Sequence, residues 1–278
     1  MVAITPLEKG EGIAMDGKEI HGTGLCLVAA FAHIAKSVLF EEGTDTKGKE
    51  LVVGSNVLKH ITINHVITGD ALFTQRNLCT YITKEHAGYI FRVKGNQETL
   101  EHDIRLFFKE PPFKAALDTD VTVDRWKGQK EIREVKVSSD ITSYLNWPGL
   151  THVWWMKKTV IKKRKTTITE SVGIVRLPRE ILDNKKVAEE VSAYIRGHWG
   201  IETRLHKQRD VVFGEDKGMI RRGHAPQTMA VLRNIVTSVF HRGTVRNFKS
   251  AMRKFAADPS ELFDFLGLTA AIQPAIAA

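Results

Sequence analysis

Between Gly12 and Glu110 the chain alternates short β-branched apolar runs with longer stretches of helical periodicity, and this alternation restricts its fold more than any other feature. "GIAMDGKEI" (12–20), "LCLVAAFAH" (25–33) and "KSVLFEEG" (36–43) read as strands, the last two as a hairpin-like pair. "KGKELVVGSNVLKHI" (47–61) has a mixed, helical pattern. "NHVITGDAL" (64–72) reads as a buried strand that delivers Asp70 at its C-terminal end. A helix follows over 74–88 with Gly88 as its stop, then a strand over 89–95, then a helix over 97–110 that Pro111 and Pro112 cut off. Strands and helices in this order call for a layered α/β core.

The texture changes at about 113. "TVDRWKGQKEIREVKVSS" alternates apolar and polar residues, and "THVWWMKKTVIKKRKTTITESVGIVRL" is rich in Val, Ile, Thr and Trp, so 113–177 reads as a β-rich insertion of several strands. After Pro178 the pattern is helical again through 180–210, 226–241 and about 244–256. The expected division is therefore 1–112, 113–177, 178–257 and a tail over 258–278, whose end "TAAIQPAIAA" is low in complexity and expected to fray.

Charge narrows the partners. With 41 Lys and Arg against 32 Asp and Glu, the net charge is +9, which points first to nucleic acid and second to a membrane surface. The two cysteines, Cys26 and Cys79, form no CxxC pair, so neither a disulfide framework nor a cysteine zinc site is expected. The longest apolar run, "GLCLVAAFAHIA" (24–35), is too short to span a bilayer, and "MVAITPLEKGEG" has no apolar signal-peptide region. A cytoplasmic protein without a membrane segment is the expectation.

Three carboxylates stand out. Asp16 lies beside Gly17 and Asp70 beside Gly69, small neighbours that let a ligand approach closely. In "HWGIETRLHKQRD" (198–210), Glu202 sits on a helix with His198 and His206 at four-residue spacing. Two strand aspartates and a helical glutamate form a hard oxygen set of the kind Mg²⁺ or Mn²⁺ prefers. Spacing alone leaves other readings open. Asp16-Gly17 is a common turn dipeptide, Asp70 can cap the helix that follows, and Glu202 can pair with His206 or Arg209. A zinc reading of the His-Glu-His set lacks the HExxH pattern.

Read together, "IAMDGKEIHGT", "VITGDALFTQRNLCTYI", "GYIFRVKGNQETLEHDI" and "YIRGHWGIETRLHKQRDVVFGED" resemble, in order, the DDE transposases of bacterial insertion sequences, and within them the ISAs-one family. The resemblance runs from about Ile13 to Phe240, with "GHAPQTMAVLRNIV" (223–236) continuing it. It implies an RNase H-like mixed sheet flanked by helices, its first part over 1–112, its helical completion over 178–257, and the β-rich insertion placed before the glutamate helix. It implies Asp16, Asp70 and Glu202 as the catalytic, metal-holding residues, with Mg²⁺ as cofactor and Mn²⁺ as substitute. Strand cleavage and strand transfer on double-stranded DNA, at transposon ends and target, follow from it. So do a homodimer in the active complex and a bacterial, nucleoid-associated location. Related enzymes place a Tyr, an Arg and a Lys around this glutamate, for which Tyr194, Arg196 and Arg209 are the nearest counterparts. The chain departs from the family at Thr203, Lys207, Glu19 and His21. Family members also carry a helical region ahead of the first aspartate, so a catalytic half is expected. A non-catalytic DNA-binding remnant and a related metal-dependent nuclease are the alternatives.

Helical projection sets Ile195, His198, Trp199, Leu205, His206 and Arg209 on the side of Glu202, with Ile195, Trp199 and Leu205 expected to pin the helix to the sheet. The expected DNA contacts are Arg196, His198, Arg209, Lys94 and the insertion residues Lys162, Lys163 and Arg164, which belong to "KKTVIKKRK" (157–165). Asn96 shares the Lys94 loop and can equally cap it. Arg242, Arg246, Lys249 and Arg253 read as one basic helical face, and one of Trp154 and Trp155 must point inward on a strand.

Overall fold

The structure, a computed structural model, describes residues 7–45, 49–61, 64–85, 87–163, 165–182 and 186–268. Three antiparallel strands open the chain: β1 (Gly12–Glu19), β2 (Cys26–Ala32) and β3 (Val38–Thr44). After α1 (Glu50–Lys59), β4 (Val66–Gly69) pairs parallel to β1. After α2 (Arg76–Lys84), β5 (Gly88–Val93) pairs parallel to β4. The helix expected to run to Gly88 ends at Lys84, and Gly88 instead opens β5. Helix α3 (Glu98–Lys109) then leads to β6 (Asp118–Trp126), β7 (Gln129–Ser138), a single turn α4 (Thr142–Leu145), β8 (His152–Lys162) and β9 (Lys165–Arg176).

Among the described residues these strands form one nine-stranded mixed sheet in the order β3-β2-β1-β4-β5-β9-β8-β7-β6. The antiparallel ladder β6 to β9 joins the core sheet through β9 and β5. The remainder is helical: α5 (Arg179–Leu182), α6 (Val187–Gly200), a π-wound continuation over Ile201–His206 and Gln208–Val212, α7 (Ala225–Arg242), α8 (Phe248–Ala257) and α9 (Pro259–Leu266). This mixed sheet with helices on both faces is the RNase H-like arrangement anticipated from the sequence.

Alternation along the strands decides which helix packs where. Ile13 and Met15 of β1, Ile67 of β4 and Tyr89 and Phe91 of β5 point to one face, where Val57, Ile82 and Ile104 of α1, α2 and α3 cover them. Val66 and Ile90 point to the other face against Val191 and Ile195 of α6, and Ala14, Ala29 and Phe31 meet Ile201 and Leu205 of the π-wound segment. The intervening positions of β1 and β4, Asp16 and Thr68, therefore share the α6 face.

Two boundaries differ from the sequence reading. The chain breaks after Arg242, and Asn247 caps α8 by accepting from Ser250 N at 3.0 Å, so Arg242 belongs to a different helix from Lys249 and Arg253. The basic residues thus do not form one helical stripe. Asp258, in the expected tail, caps α9 through Ser260 N at 3.0 Å, and Phe265 packs on Phe240 of α7 at a ring separation of 6.0 Å. The fraying expected over 269–278 lies outside the described residues.

Close approach of α6 to the sheet depends on two glycines. The His33 ring is wedged between Gly12 of β1 and Gly197 of α6, and an added Cβ would lie 2.3 Å and 2.1 Å, respectively, from its Nδ1. The ring cannot retreat from one without striking the other. Gly197→Ala should therefore cost about 1–3 kcal/mol of stability, read as a lowered urea midpoint with unchanged slope; a midpoint equal to that of the parent would refute this packing.

Candidate active site

The parallel pairing of β1 with β4 sets Met15 opposite Gly69, so the next residues, Asp16 and Asp70, stand side by side at the C-terminal edge of the sheet. Asp16 Oδ1 accepts from Gly17 N at 2.9 Å. Asp70 Oδ1 accepts from Leu72 N at 2.9 Å and caps the short 3₁₀ turn Ala71–Phe73, so the capping role is real and fixes the side chain at the strand end. Asn96 Nδ2 donates to Ala71 O at 2.7 Å and Gln97 Nε2 to Thr74 O at 3.1 Å, stapling the Asp70 loop. Asn96 is thus a loop cap.

Glu202 reaches the same edge from above. His206 Nδ1 lies 3.5 Å from Asp16 Oδ2 and 3.9 Å from Glu202 Oε2. One ligand atom from each of Asp16, Glu202 and His206 falls within 4.8 Å of the others, a cluster able to hold a metal ion. Asp70 is outside that trio but close enough for its charge to act on Asp16. Burial first, then the negative charge of Glu202, pushes the Asp16 carboxyl up to about 7; Asp70 adds to the rise and the Gly17 N–H partly offsets it. Burial, reinforced by Arg209, Lys18 and His198, lowers His206 to about 3, so its imidazole is neutral at physiological pH. His206 was absent from the expected site set; its signal was the four-residue step from Glu202.

The helix winding explains what faces the site. From Ile201 to Val212 the chain is π-wound, a feature frequent at functional sites. An α-helix turns about 100° per residue and would bring Arg209 back within about 20° of Glu202. Winding with i→i+5 bonds turns roughly 80° per residue, so Arg209 swings to the opposite side while His206, four residues on, stays beside Glu202. Arg209 is accordingly 0% exposed. Its Nε donates to Glu215 Oε2 at 2.8 Å and its Nη1 to Glu41 Oε2 at 2.5 Å. Arg233 also binds Glu215, at 3.0 Å, and Lys18 of β1 binds Asp210 at 2.8 Å and Asp216 at 3.3 Å. Arg209 therefore clamps the glutamate helix to β3 and does not present itself to DNA.

The other expected contacts divide. Lys94, at the end of β5, and Lys162 and Lys163, at the β8–β9 turn, are exposed; Arg164 lies outside the described residues. Arg196 is exposed but ion-paired to Asp124 at 3.1 Å. His198 is half-buried, its Nδ1 3.1 Å from Thr68 Oγ1, and burial lowers it to about 4 although Asp70 acts against this. Ile195 and Leu205 are buried as expected, but Trp199 is 52% exposed, because it shares the outward side of the helix with Glu202. Lys158 Nζ sits over the Trp199 ring at 5.0 Å and pairs with Glu131 at 3.1 Å. Trp154 is buried in the core, while Trp155 lies beneath Lys136 at 5.1 Å.

Register gives the basic insertion its position. The β5–β9 pairing ends at Val93 opposite Val172, so β9 residues Lys165 to Ser171 project past β5 at the edge that carries the aspartates. At roughly 3.3 Å per residue these seven residues extend about 23 Å. Lys157–Lys162 of β8 run beside them, and the Lys158–Trp199 contact ties this overhang to the helix just ahead of Glu202.

Crowding of carboxylates makes a pH prediction. Folded Asp16 keeps its proton over a range, from about 4 to about 7, in which the unfolded residue has lost it. The folded state then binds more protons, and its stability falls as pH rises through that window. In the presence of a chelator, Asp16→Asn should therefore melt several degrees above the parent at pH 8, with the gap narrowing toward pH 5. A gap independent of pH would refute the crowding.

Comparison with known proteins agrees with this geometry. The chain matches the family described as Transposase DDE domain over residues 8–239. It is 27% identical over 276 residues to the "H repeat-associated putative transposase YhhI" of Escherichia coli (strain K12), covering 91% of this chain and 71% of that one. It is 28% identical over the same shares to the protein YbfL of that strain. It is 29% identical over 245 residues to the "Putative transposase YncI" of Escherichia coli O157:H7, covering 83% of this chain and 62% of that one. With its two aspartates on neighbouring parallel strands and its glutamate on the late helix above them, the chain belongs to the DDE transposase domain family.

Proposed function

We propose that the protein cleaves DNA strands and transfers them in a metal-dependent reaction that moves an insertion sequence. The observation that carries this reading is the cluster of Asp16, Glu202 and neutral His206, with Asp70 beside it. Its donor set fits a divalent cation. Three carboxylates crowd one edge, burial and the charge of Glu202 push the Asp16 carboxyl up to about 7, and His206 Nε2 is buried without a partner. Such a set favours Mg²⁺ or Mn²⁺, with Asp16, Asp70 and Glu202 as the holding residues and His206 within reach. Bound there, divalent ions supply activation of a water or hydroxyl and stabilisation of the leaving oxygen of a phosphodiester.

The chain's own residues do the rest. Capping by Asp70 and the Asn96 and Gln97 staples keep the second aspartate oriented before DNA arrives. The overhanging β8–β9 hairpin, with Lys162 and Lys163 exposed at its turn, and Lys94 at the end of β5 supply phosphate contacts on the carboxylate side. The surplus of +9 supports double-stranded DNA as partner. Among the described residues no helix is long and apolar enough to cross a membrane, and the proposed place of action is DNA in the bacterial cytoplasm, at the nucleoid when bound. We assign 1–112 and 178–257 to the catalytic core, 113–177 to a DNA-facing extension and 258–278 to a tail, and a homodimer to the active complex, since synapsis joins two ends.

Two measurements test this. Supercoiled plasmid incubated with the protein and Mg²⁺ or Mn²⁺ should be nicked, and Glu202→Gln should lower the rate by at least about 100-fold. Nicking by Glu202→Gln at the parent's rate would refute the site, and DNA binding by the parent without nicking would identify a remnant. Separately, the double change Lys162→Glu, Lys163→Glu should weaken duplex binding and flatten its salt dependence by about two units of log–log slope. Parent-like affinity at 50 and 200 mM salt would remove the hairpin from the interface.

A further inference from the structure

Besides overhanging the carboxylates, the insertion grips the helix that leads to Glu202. Helix α6 lacks a cap of its own: its N-cap residue is Lys186, whose ammonium can only donate, and it makes no side-chain cap. The acceptor comes instead from the first residue of β6, where Asp118 Oδ2 accepts from Ala188 N at 2.9 Å. Six residues along the same strand, Asp124 Oδ2 pairs with Arg196 Nη2 at 3.1 Å and accepts from Arg133 Nη1 of β7 at 2.6 Å. Arg133 and, at 3.1 Å, Lys158 of β8 both pair with Glu131, which is buried. Lys158 Nζ in turn lies 5.0 Å over the Trp199 ring. Three neighbouring strands therefore hold α6 at its first turn, at Arg196 and at Trp199, the last of these three residues short of Glu202.

Apolar packing alone does not fix such a helix lengthwise. Val191 and Ile195 bury against Val66, Ile90 and Val135. Contact of this kind is non-directional, so it sets the distance from the sheet and leaves sliding and rotation open. Charge-assisted hydrogen bonds have both a direction and a length. Between Ala188 and Trp199 the helix rises about 16 Å, and ties at both ends of that span fix its axial position. Beyond Glu202, Arg209 supplies a further tie, to Glu41 and Glu215. Glu202 thus stands between a tie made to the insertion and one made to β3 and the chain that follows. We propose that Asp118, Asp124 and Glu131 are positioning residues, which splint α6 to the insertion and so set where Glu202 stands above Asp16. Arg196 is then a tie and not a DNA contact. The effect on cleavage rests on the metal-dependent reading; the splint itself does not.

The test separates a tie from a DNA contact. Asp124→Asn and Arg196→Gln each break the pair with little change of shape, and a cooperative melting transition checks that each variant folds. In Mn²⁺-dependent nicking of supercoiled plasmid, each should lower kcat about tenfold or more at unchanged KM. The double variant should be no worse than either single, because both remove one interaction. Parent-like kcat in Asp124→Asn overturns the proposal. So does an Arg196→Gln protein that raises KM and weakens duplex binding while Asp124→Asn behaves as the parent, since Arg196 would then be a DNA contact. A readout without DNA or metal uses protein labelled with 5-fluorotryptophan, in which the ¹⁹F signal of Trp199 is identified by its loss in Trp199→Phe. That signal should move in Asp124→Asn, one helical turn away, and in Glu131→Gln, which frees Lys158. A signal unmoved in both variants overturns the splint. A signal that moves in both, in a parent that neither nicks plasmid nor binds Mn²⁺, would refute the metal-dependent reading and leave the splint standing.

Discussion

Like charges forced together at one sheet edge are the constraint on which the rest of this structure depends. Parallel pairing of β1 and β4 leaves Asp16 and Asp70 adjacent, and the helix above them adds Glu202. Burial first, and then this repulsion, hold the Asp16 proton to about 7. Packing must therefore keep the glutamate helix down. Small residues on the sheet, Ala14 and Ala29, allow Ile201 and Leu205 to bury against it, and Gly12 and Gly197 admit the His33 ring between strand and helix.

A second device works in the same sense. Arg209, Lys18 and Arg233 bring positive charge into the packed side of the glutamate helix, where Glu41, Glu215, Asp210 and Asp216 receive it. Burial alone would depress the Arg209 guanidinium, but Glu41 and Glu215 more than offset it and raise its pKa. Removing one member of such a buried network leaves charge without a partner, which is far costlier than the pair is stabilising. The helix is thus held by apolar contact through Ile201 and Leu205 and, further along, by the ion pairs of Arg209, and π winding is what turns Arg209 to this packed side, away from Glu202.

The long antiparallel ladder converts this edge from a small acidic site into part of a larger basic surface. Because β9 pairs with β5 and then continues past it, the lysines of the hairpin stand on the carboxylate side without any separate hinge or linker. Lys158 over Trp199 joins that surface to the glutamate helix. An acidic site that must meet a polyanion needs such a counterweight, and the sheet supplies it by register alone.

Strand and helix alternation was local, and from it a layered α/β core and a β-rich stretch could be read; the mixed sheet and the candidacy of Asp16, Asp70 and Glu202 came from the resemblance carried by the ordered motifs, because spacing alone left turn, cap and ion-pair readings open. Local periodicity also foresaw the buried Leu205 and that one of Trp154 and Trp155 would be buried, and the structure shows that it is Trp154. Tertiary structure decided which other residues share the site. Projection at α-helical pitch put Arg209 beside Glu202, whereas π winding buried it against nearby Glu215 and against Glu41 from a distant part of the chain, and left His206 in place. His33 and Thr68 carry no sequence signal at all, since they meet His198 only when β2, β4 and α6 are packed together. A sequence determines which residues alternate and which can carry a charge; the winding of a helix under ion-pair load and the meeting of groups more than a hundred residues apart depend on the packed state, where those distances are set.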